Sequence, residues 1–365
     1  MKINYSKLIL LILIGGAFSY GQQPFFHSQK EGLWLSADLH IHTVFSDGSV
    51  WPSIRVEEAR REGLDLIALT EHLEYQPHAE DLPHPDRNRS YIIAQGMLKT
   101  NEKLQVINGS EITRSMPPGH INAVFIKDAN ALLHKDSLSG IQAANEQEAF
   151  VFWNHPNWDA QRNDGIAQLE PFHKYLIKNK LLHGIEVVNE TTFSEEALAI
   201  ALENDLTILG TSDIHGLTYW AHDIAQGGHR PLTFVHVEDK SPEALKKALF
   251  EGNTVIWFEE MLIGKTVPLK KIVVENLEFG TPFYPKDKLL MEVEVTNKSA
   301  VPFQLEYTGE YSFHQRGSVF TIPPKESIKL IIKTITKKAS VKLPFRVLNA
   351  VDAPKSTLDI EVIVK

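Results

Sequence analysis

The chain has 365 residues, 43% hydrophobic and 23% charged, an ordinary balance for a soluble globular protein and enough length for two domains. Its net charge of -9 argues against a surface built to coat nucleic acid. With no cysteine and 16 histidines, a disulfide framework, a thiolate zinc site and a cysteine nucleophile are excluded, and any metal must be held by nitrogen and oxygen.

Residues 1–21 read as a secretory signal peptide. Lys2 and Lys7 give a basic start, residues 8–18 an apolar run too short to span a bilayer, and Ser19 and Gly21 small residues for cleavage before Gln22. A lipid anchor on cysteine is excluded. The expected location is the periplasm or beyond, with no membrane contact once the leader is removed.

An apolar run at 33–35 opens a strand that reaches His40 and His42. Strand side chains alternate, so these two imidazoles share a face, with Thr43 and Asp47 just beyond. A helix over 52–61 opens on proline and closes before Gly63. A buried strand over 64–70 runs into Glu71 and His72, followed by a polar loop over 75–89 and a helix over about 90–102. The strand over 104–112 contains Glu111, and a short loop leads to His120 and a strand running the opposite way, because the connection has no room for a crossover helix. Residues 142–147 are helical, and 150–153 form a strand ending at Asn154 and His155. Strands over 184–188 and 206–210, with a helix over about 194–204 between them, lead to Asp213 and His215. A strand over 231–237 and a helix to about 251 complete an α/β barrel.

After about Gly264 the pattern changes. Short alternating strands are expected at 271–274, 289–295, 327–333 and 358–364, with no helix, which reads as an all-β sandwich. The lysine-rich stretch 333–342 reads as a solvated edge.

In parallel α/β architectures the active site lies at the carboxyl ends of the strands. The metal-capable residues fall at such places along the chain: His40, His42, Asp47, His72, Glu111, His120, His155, Asp213 and His215. Nine ligands exceed what one ion needs and suit two or three, with Glu111 placed to bridge. Clustered divalent ions lower the pKa of water and neutralise a phosphoryl group and a leaving oxygen, the combination that phosphate-ester hydrolysis demands.

The spacing H-x-H-T-x-x-S-D-G over 40–48, the T-E-H over 70–72, the lone Glu111 and the S-D-x-H over 212–215 resemble the PHP (polymerase and histidinol phosphatase) family of metal-dependent phosphoesterases. The resemblance covers about residues 35–260. It implies a distorted (β/α)7 TIM-like barrel with two or three divalent ions (zinc, manganese or iron). It further implies one ion on His40, His42, Glu111 and Asp213, a second on Glu111, His120 and His155, and a third on Asp47, His72 and His215. His40, His42, Glu111 and Asp213 are then the catalytic core.

For substrate contact, Arg114 follows Glu111 closely and can clamp phosphate oxygens, with Arg87 and Arg162 as further candidates. Asn154 and Asn189 are placed to orient ligands or substrate, and His222 and His229 are candidate proton donors for which a structural role is the stronger expectation. Trp153 and Trp158 flank His155 and are expected in the core. The expected organisation is a leader (1–21), a PHP-type barrel (22–262) and an Ig-like β-sandwich (265–365). The expected activity is that of an exported metal-dependent phosphoesterase acting on small phosphomonoesters or phosphodiesters, nucleotides included, through a metal-bridging hydroxide, with no stable nucleic-acid complex. A metal-dependent hydrolase of a non-phosphate ester or amide, and a non-catalytic metal-stabilised binding protein, are the alternatives.

Overall fold

The computed structural model describes residues 24–28 and 32–365; the predicted leader lies outside them. In chain order the first half runs β1 (Leu33–Ile41), α1 (Pro52–Glu62), β2 (Leu66–Leu69), α2 (Arg89–Gln95), β3 (Gln105–Ile112), β4 (Ile121–Val124), α3 (Ser137–Glu146), β5 (Phe150–Trp153), α4 (Pro171–Lys178), β6 (Gly184–Asn189), β7 (Thr192–Phe193), α5 (Glu195–Glu203) and β8 (Thr207–Thr211). It continues with α6 (Thr218–Ala221), β9 (Leu232–Val237), α7 (Pro242–Phe250), β10 (Thr254–Phe258), β11 (Met261–Gly264) and α8 (Thr266–Asn276). The remainder is strand only: β12 (Leu277–Phe279), β13 (Leu290–Asn297), β14 (Phe303–Tyr307), β15 (Ser312–Phe313), β16 (Val319–Ile322), β17 (Ser327–Lys333), β18 (Val341–Ala353) and β19 (Ser356–Val364).

The barrel strands lie in the order β10-β9-β1-β2-β3-β4-β5-β6, with β8 beside β6. β1, β2 and β3 are parallel, as are β5, β6 and β8, while β4 runs against both neighbours and β9 against β1. This is the distorted TIM-like barrel of the PHP type. Its strands are buried almost throughout, which is why they read as continuous apolar runs rather than alternating ones.

The barrel closes between β8 and β10/β9 through side chains. Thr254 Oγ1 donates to Ile208 O at 2.7 Å, Thr233 Oγ1 donates to Gly210 O at 2.8 Å, and Gly210 N donates to Thr233 Oγ1 at 2.9 Å. Gly210 is required there, because a Cβ would sit 2.4 Å from Ile256.

Strands β12–β19 form the Ig-like sandwich. One sheet is β12-β13-β17-β15; the other holds β16, β14, β18 and β19. The second sheet is continuous with the barrel, since β11 pairs in parallel with β18 (Leu262 with Ala350, Ile263 with Val351). Helix α8 packs at this junction.

Three expectations are corrected. The stretch 271–274 is helical, inside α8, although Ile272, Val273 and Val274 favour strand. Leu269, Ile272 and Val273 recur at helical spacing and are fully buried, and that burial overrides propensity. The helix expected to 102 ends at Gln95, capped by Gly96. Helix α4 and strands β10 and β11 were not anticipated; α4 starts on a Glu-Pro signal in a stretch lacking a long apolar stripe.

Candidate metal centre

Each candidate ligand reaches one end of the barrel because a buried strand carries it there. Asp38 and His40 on β1 and His42 one residue past its end share the interior face and are fully buried. The Nε2 atoms of His40 and His42 lie 3.0 Å apart, and both are 3.0–3.1 Å from Asp213 Oδ1 at the end of β8. Glu111 Oε2 is 3.5 Å from His42 Nε2 and 2.6 Å from His72 Nδ1. Glu111 Oε1 is 2.7 Å from His120 Nδ1 and 3.6 Å from His155 Nε2. Asp47 is 3.1 Å from His215 Nε2 and 3.3 Å from His72 Nε2. All nine residues singled out as ligands therefore converge.

Three groups have ligand atoms within 4.8 Å of one another: His40, His42 and Asp213; His42, Asp47, His72 and His215; and His72, Glu111 and His120. The grouping expected from the resemblance differs in three respects: Glu111 is not within the His40, His42 and Asp213 group, and two residues change place. His42 adjoins the Asp47 group, and His72, rather than His155, completes the group around Glu111 and His120.

Divalent ions suit this donor set. Asp47 Oδ1, Glu111 Oε2, Asp213 Oδ1, His120 Nδ1 and His155 Nδ1 are buried, and although oppositely matched atoms crowd several of them, none makes a contact of hydrogen-bond geometry. Buried polar atoms left unmatched are costly, and cations among them would remove that cost. Nitrogen and carboxylate donors suit zinc, manganese or iron. Asp213 and His155 both leave their strands with positive φ, 48° and 25°, a conformation rare outside glycine.

The histidine rings are aimed by a surrounding layer. His40 Nδ1 lies 2.7 Å from Glu186 Oε1, which leaves Nε2 facing inward. His42 Nδ1 contacts Ser46 Oγ at 3.2 Å, and that hydroxyl donates to Glu71 at 2.6 Å. His215 Nδ1 donates to Asp213 O at 2.7 Å, leaving Nε2 toward Asp47. Such contacts fix tautomer and orientation.

Glu186 is the hub of this layer. It also accepts from Thr211 Oγ1 at 2.7 Å, His155 N at 2.7 Å and Asn189 Nδ2 at 2.9 Å. Arg55, fully buried, donates to His42 O, Ile214 O, His215 O and Gly216 O at 2.7–3.0 Å, tying the first and last ligand loops together. Arg230 joins Asp38 at 2.9 Å to Glu62 at 2.7 Å, while Asp38 accepts from Ser212. None of Glu186, Glu71, Arg55 and Arg230 was singled out as a candidate. For Glu186 a signal existed, since it is the one charged residue in the apolar strand 184–188.

The electrostatics follow from the crowding. Burial, reinforced by His215 and His72, pushes His42 down to about 3, with Asp213 opposing. Burial also opposes protonation of His72, but Glu111 and Asp47 outweigh it and raise the ring to about 10. Against the effect of burial, neighbouring imidazoles hold Asp47, Glu111 and Asp213 below the usual carboxylate range.

At the mouth lies a cavity of about 150 Å³, lined by six of the candidate ligands (Asp47, His72, His120, His155, Asp213 and His215) together with Trp158, Asn189 and Glu190 and by no lysine or arginine. The three arginines expected at the substrate are committed elsewhere. Arg114 pairs with Glu74 at 2.7 Å and donates to His134 O. Arg162 pairs with Glu170 at 2.9 Å, and Arg87 donates to Leu73 O and His84 O. Nearby carboxylates and carbonyls capture these long side chains, a competition invisible in linear sequence. Trp153 is in the core, stacked on His173, but Trp158 is exposed at the mouth, its ring 5.2 Å from His155. Asn154 Nδ2 donates to Glu111 Oε1 at 3.0 Å. His229 is engaged by Arg230 O, Glu259 O and Trp257, away from the cavity, and His222 does not line it either.

A family model described as an Ig-like domain, DUF5001, matches residues 277–363. The search of curated proteins gives no match. Among solved structures, a two-domain protein from Bacteroides vulgatus containing a predicted PHP-like metal-dependent phosphoesterase is 33% identical, with a TM-score of 0.86 over 94% of this chain and 99% of its own. PsfC from Pseudomonas syringae is 16% identical over 67% of this chain and 96% of its own, with a TM-score of 0.43. An amidohydrolase from Chromobacterium violaceum is 15% identical over 49% and 87%, with a TM-score of 0.35. The last two are too distant to bear on the assignment. The Bacteroides likeness spans barrel and sandwich together, and on it the chain belongs to the two-domain PHP-like metal-dependent phosphoesterase family.

Proposed function

We propose that the chain is an exported metal-dependent phosphoesterase that hydrolyses small phosphomonoesters or phosphodiesters. The observation that carries this reading is the convergence of nine nitrogen- and oxygen-donor residues, three of them buried carboxylates with an oxygen that makes no contact of hydrogen-bond geometry. His40, His42, Asp47, His72, Glu111, His120, His155, Asp213 and His215 would hold two or three zinc, manganese or iron ions, with Glu111 placed to serve more than one. Ions bound there supply Lewis acidity, lowering the pKa of water and offsetting phosphoryl charge. The protein's part is to hold those donors still. Glu186 fixes the His40 ring and the loop at His155, Asn154 fixes Glu111, and Arg55 locks the loop that carries His215. Trp158, Asn189 and Glu190 at the mouth are positioned to meet the organic part of the substrate.

The test is turnover of p-nitrophenyl phosphate and bis-p-nitrophenyl phosphate by the purified protein, before and after chelation, with metal content measured on the same sample. Metal-dependent release from either is expected, and the preferred ester distinguishes monoesterase from diesterase. No release from either by fully loaded protein would overturn the reading. Hydrolysis of a non-phosphate ester or amide is the second reading, favoured by the absence of lysine and arginine from the cavity lining; p-nitrophenyl acetate in the same assay decides between them. Export is tested by fusing residues 1–21 to a reporter and fractionating the cells.

A further inference from the structure

The sandwich pole farthest from the barrel carries a feature that the metal centre does not use. β13 begins at Leu290 opposite Lys333, where β17 ends, so residues 280–289 and 334–340 form adjacent loops. They are tied together: Tyr284 Oη and Thr334 Oγ1 are 2.9 Å apart, Lys338 N donates to Tyr284 Oη at 2.9 Å, and Thr334 Oγ1 donates to Leu289 O at 3.3 Å.

Three large apolar side chains stand exposed on these loops: Phe283 at 55%, Leu289 at 51% and Ile335 at 83%. Ile335 also has φ of 64°, a left-handed conformation strongly disfavoured for a β-branched residue. A turn needing that backbone normally uses glycine or asparagine. Around the three apolar tips lie Lys286, Lys288, Lys337 and Lys338, all exposed and none paired with a carboxylate among the described residues. The opposing charges are Asp287, between two of the lysines, and Glu310 on the adjoining β14–β15 loop. The pole is thus locally cationic on a chain of net charge -9.

We infer that this pole is a docking site for a bilayer surface bearing anionic phospholipid. Lysines alone would suit any polyanion, but a soluble polyanion gives Phe283, Leu289 and Ile335 nothing to contact. A bilayer interface accepts both: apolar tips enter the acyl boundary while ammonium groups stay at the phosphates on their aliphatic stems. No helix among the described residues is long and apolar enough to cross a membrane, so the contact is peripheral. With four lysines and three apolar tips it is reversible and salt-sensitive. The nine residue steps from Val341 to Ala350, where β18 meets β11, span about 30 Å at strand rise, so the barrel is held off the bilayer. This revises the expectation of no membrane contact after leader removal and stands independently of the proposed reaction.

The experiment is co-sedimentation of the full chain lacking residues 1–21 with vesicles of phosphatidylcholine alone or of an equimolar mixture with phosphatidylglycerol, at low and high salt. Binding to the mixed vesicles, at least about tenfold weaker on phosphatidylcholine or at high salt, is expected. At about fivefold per lysine, Lys337→Glu with Lys338→Glu reduces binding by more than tenfold. Ile335→Gly, which suits the left-handed backbone and should not unfold the loop, also weakens it. Equal partition to both vesicle types, or wild-type binding by folded variants, would overturn the proposal. So would retention on dextran sulfate that matches the lipid binding and is indifferent to Ile335→Gly.

Discussion

Glu186 shows how one side chain governs a site it does not line. It holds a ligand ring, a ligand-bearing backbone amide, a threonine hydroxyl and a cavity-lining amide at once. Glu186→Gln keeps the shape but replaces one acceptor oxygen with a donor. Metal affinity or turnover should fall about 10- to 100-fold, read by metal titration of the apo-protein alongside kinetics, with the fold intact by circular dichroism. His42→Ala and Asp213→Ala remove donors outright and should abolish turnover while the sandwich stays folded; full activity in either would refute the site. Trp158→Ala should raise KM with little change in kcat, since the ring sits at the mouth beside rather than among the donors. The candidate ligands that converge were legible in sequence because most of them lie at or just beyond the end of a buried strand, and strand ends can be read from apolar runs; His120 at the start of β4 and Asp47 in the loop after β1 are the exceptions. Glu186 lies within its strand, and Arg55 and Arg230 act across 150 residues or more; linear spacing carries no trace of such contacts. The pairing of Arg114, Arg162 and Arg87 with other groups has the same origin, because the partner that claims a flexible side chain is a tertiary fact.

Helix α4 is anchored by a histidine that must stay neutral. His173 Nδ1 accepts from Glu170 N at 3.1 Å, and its Nε2–H donates to Pro118 O at 2.7 Å. A second ring proton would meet the Glu170 N–H head-on. Burial accordingly lowers this ring from 6.5 to about 4. Because the folded value lies below the unfolded one, the unfolded chain binds the extra proton first. The stabilisation is complete above pH 6.5 and is lost as pH falls from 6.5 toward about 4. At about 1.4 kcal/mol per unit, the loss amounts to about 3 kcal/mol. Urea midpoints across that range should fall less steeply in His173→Gln than in the parent; identical slopes would contradict the assignment. In α8, Ile272→Ala should cost about 2–5 kcal/mol, measured by the same denaturation. Most barrel strands were readable as elements because both faces are buried and the apolar runs are unbroken. Helix α8 was not, since four consecutive residues cannot distinguish a β-branched strand from a β-branched helix whose buried face is chosen by a neighbouring domain.

The molecule as a whole has no break between its two architectures. The β11–β18 pairing carries the barrel sheet into the sandwich, and one apolar cluster runs from Phe234 and Trp257 through Ile272 to Phe303 and Phe345. Removing residues 277–365 would bare the side of α8 and the edge of β11, so the truncated barrel should be insoluble or markedly less stable than the full chain; a soluble barrel of unchanged melting temperature would refute this. Chelation should lower the melting temperature of the full chain, because it leaves Asp47, Glu111 and Asp213 crowded without a cation. The change from α/β to all-β was legible as a change of period along the chain. The hydrogen-bonded seam joining the two parts was not, as it rests on only two residue pairs.

The hydroxyl closure between β8 and β9 gives the barrel a latch. Everywhere else around the wall a strand slips only by breaking a ladder; here a single threonine, Thr233, satisfies both the amide and the carbonyl of Gly210. Three residues onward lies Asp213. Thr233→Val, equal in shape, would leave both backbone groups unsatisfied at a cost of about 1–3 kcal/mol each. Amide hydrogen exchange at Gly210 would quicken first. The affinity for metal at the front of the barrel would then report how firmly its back is fastened.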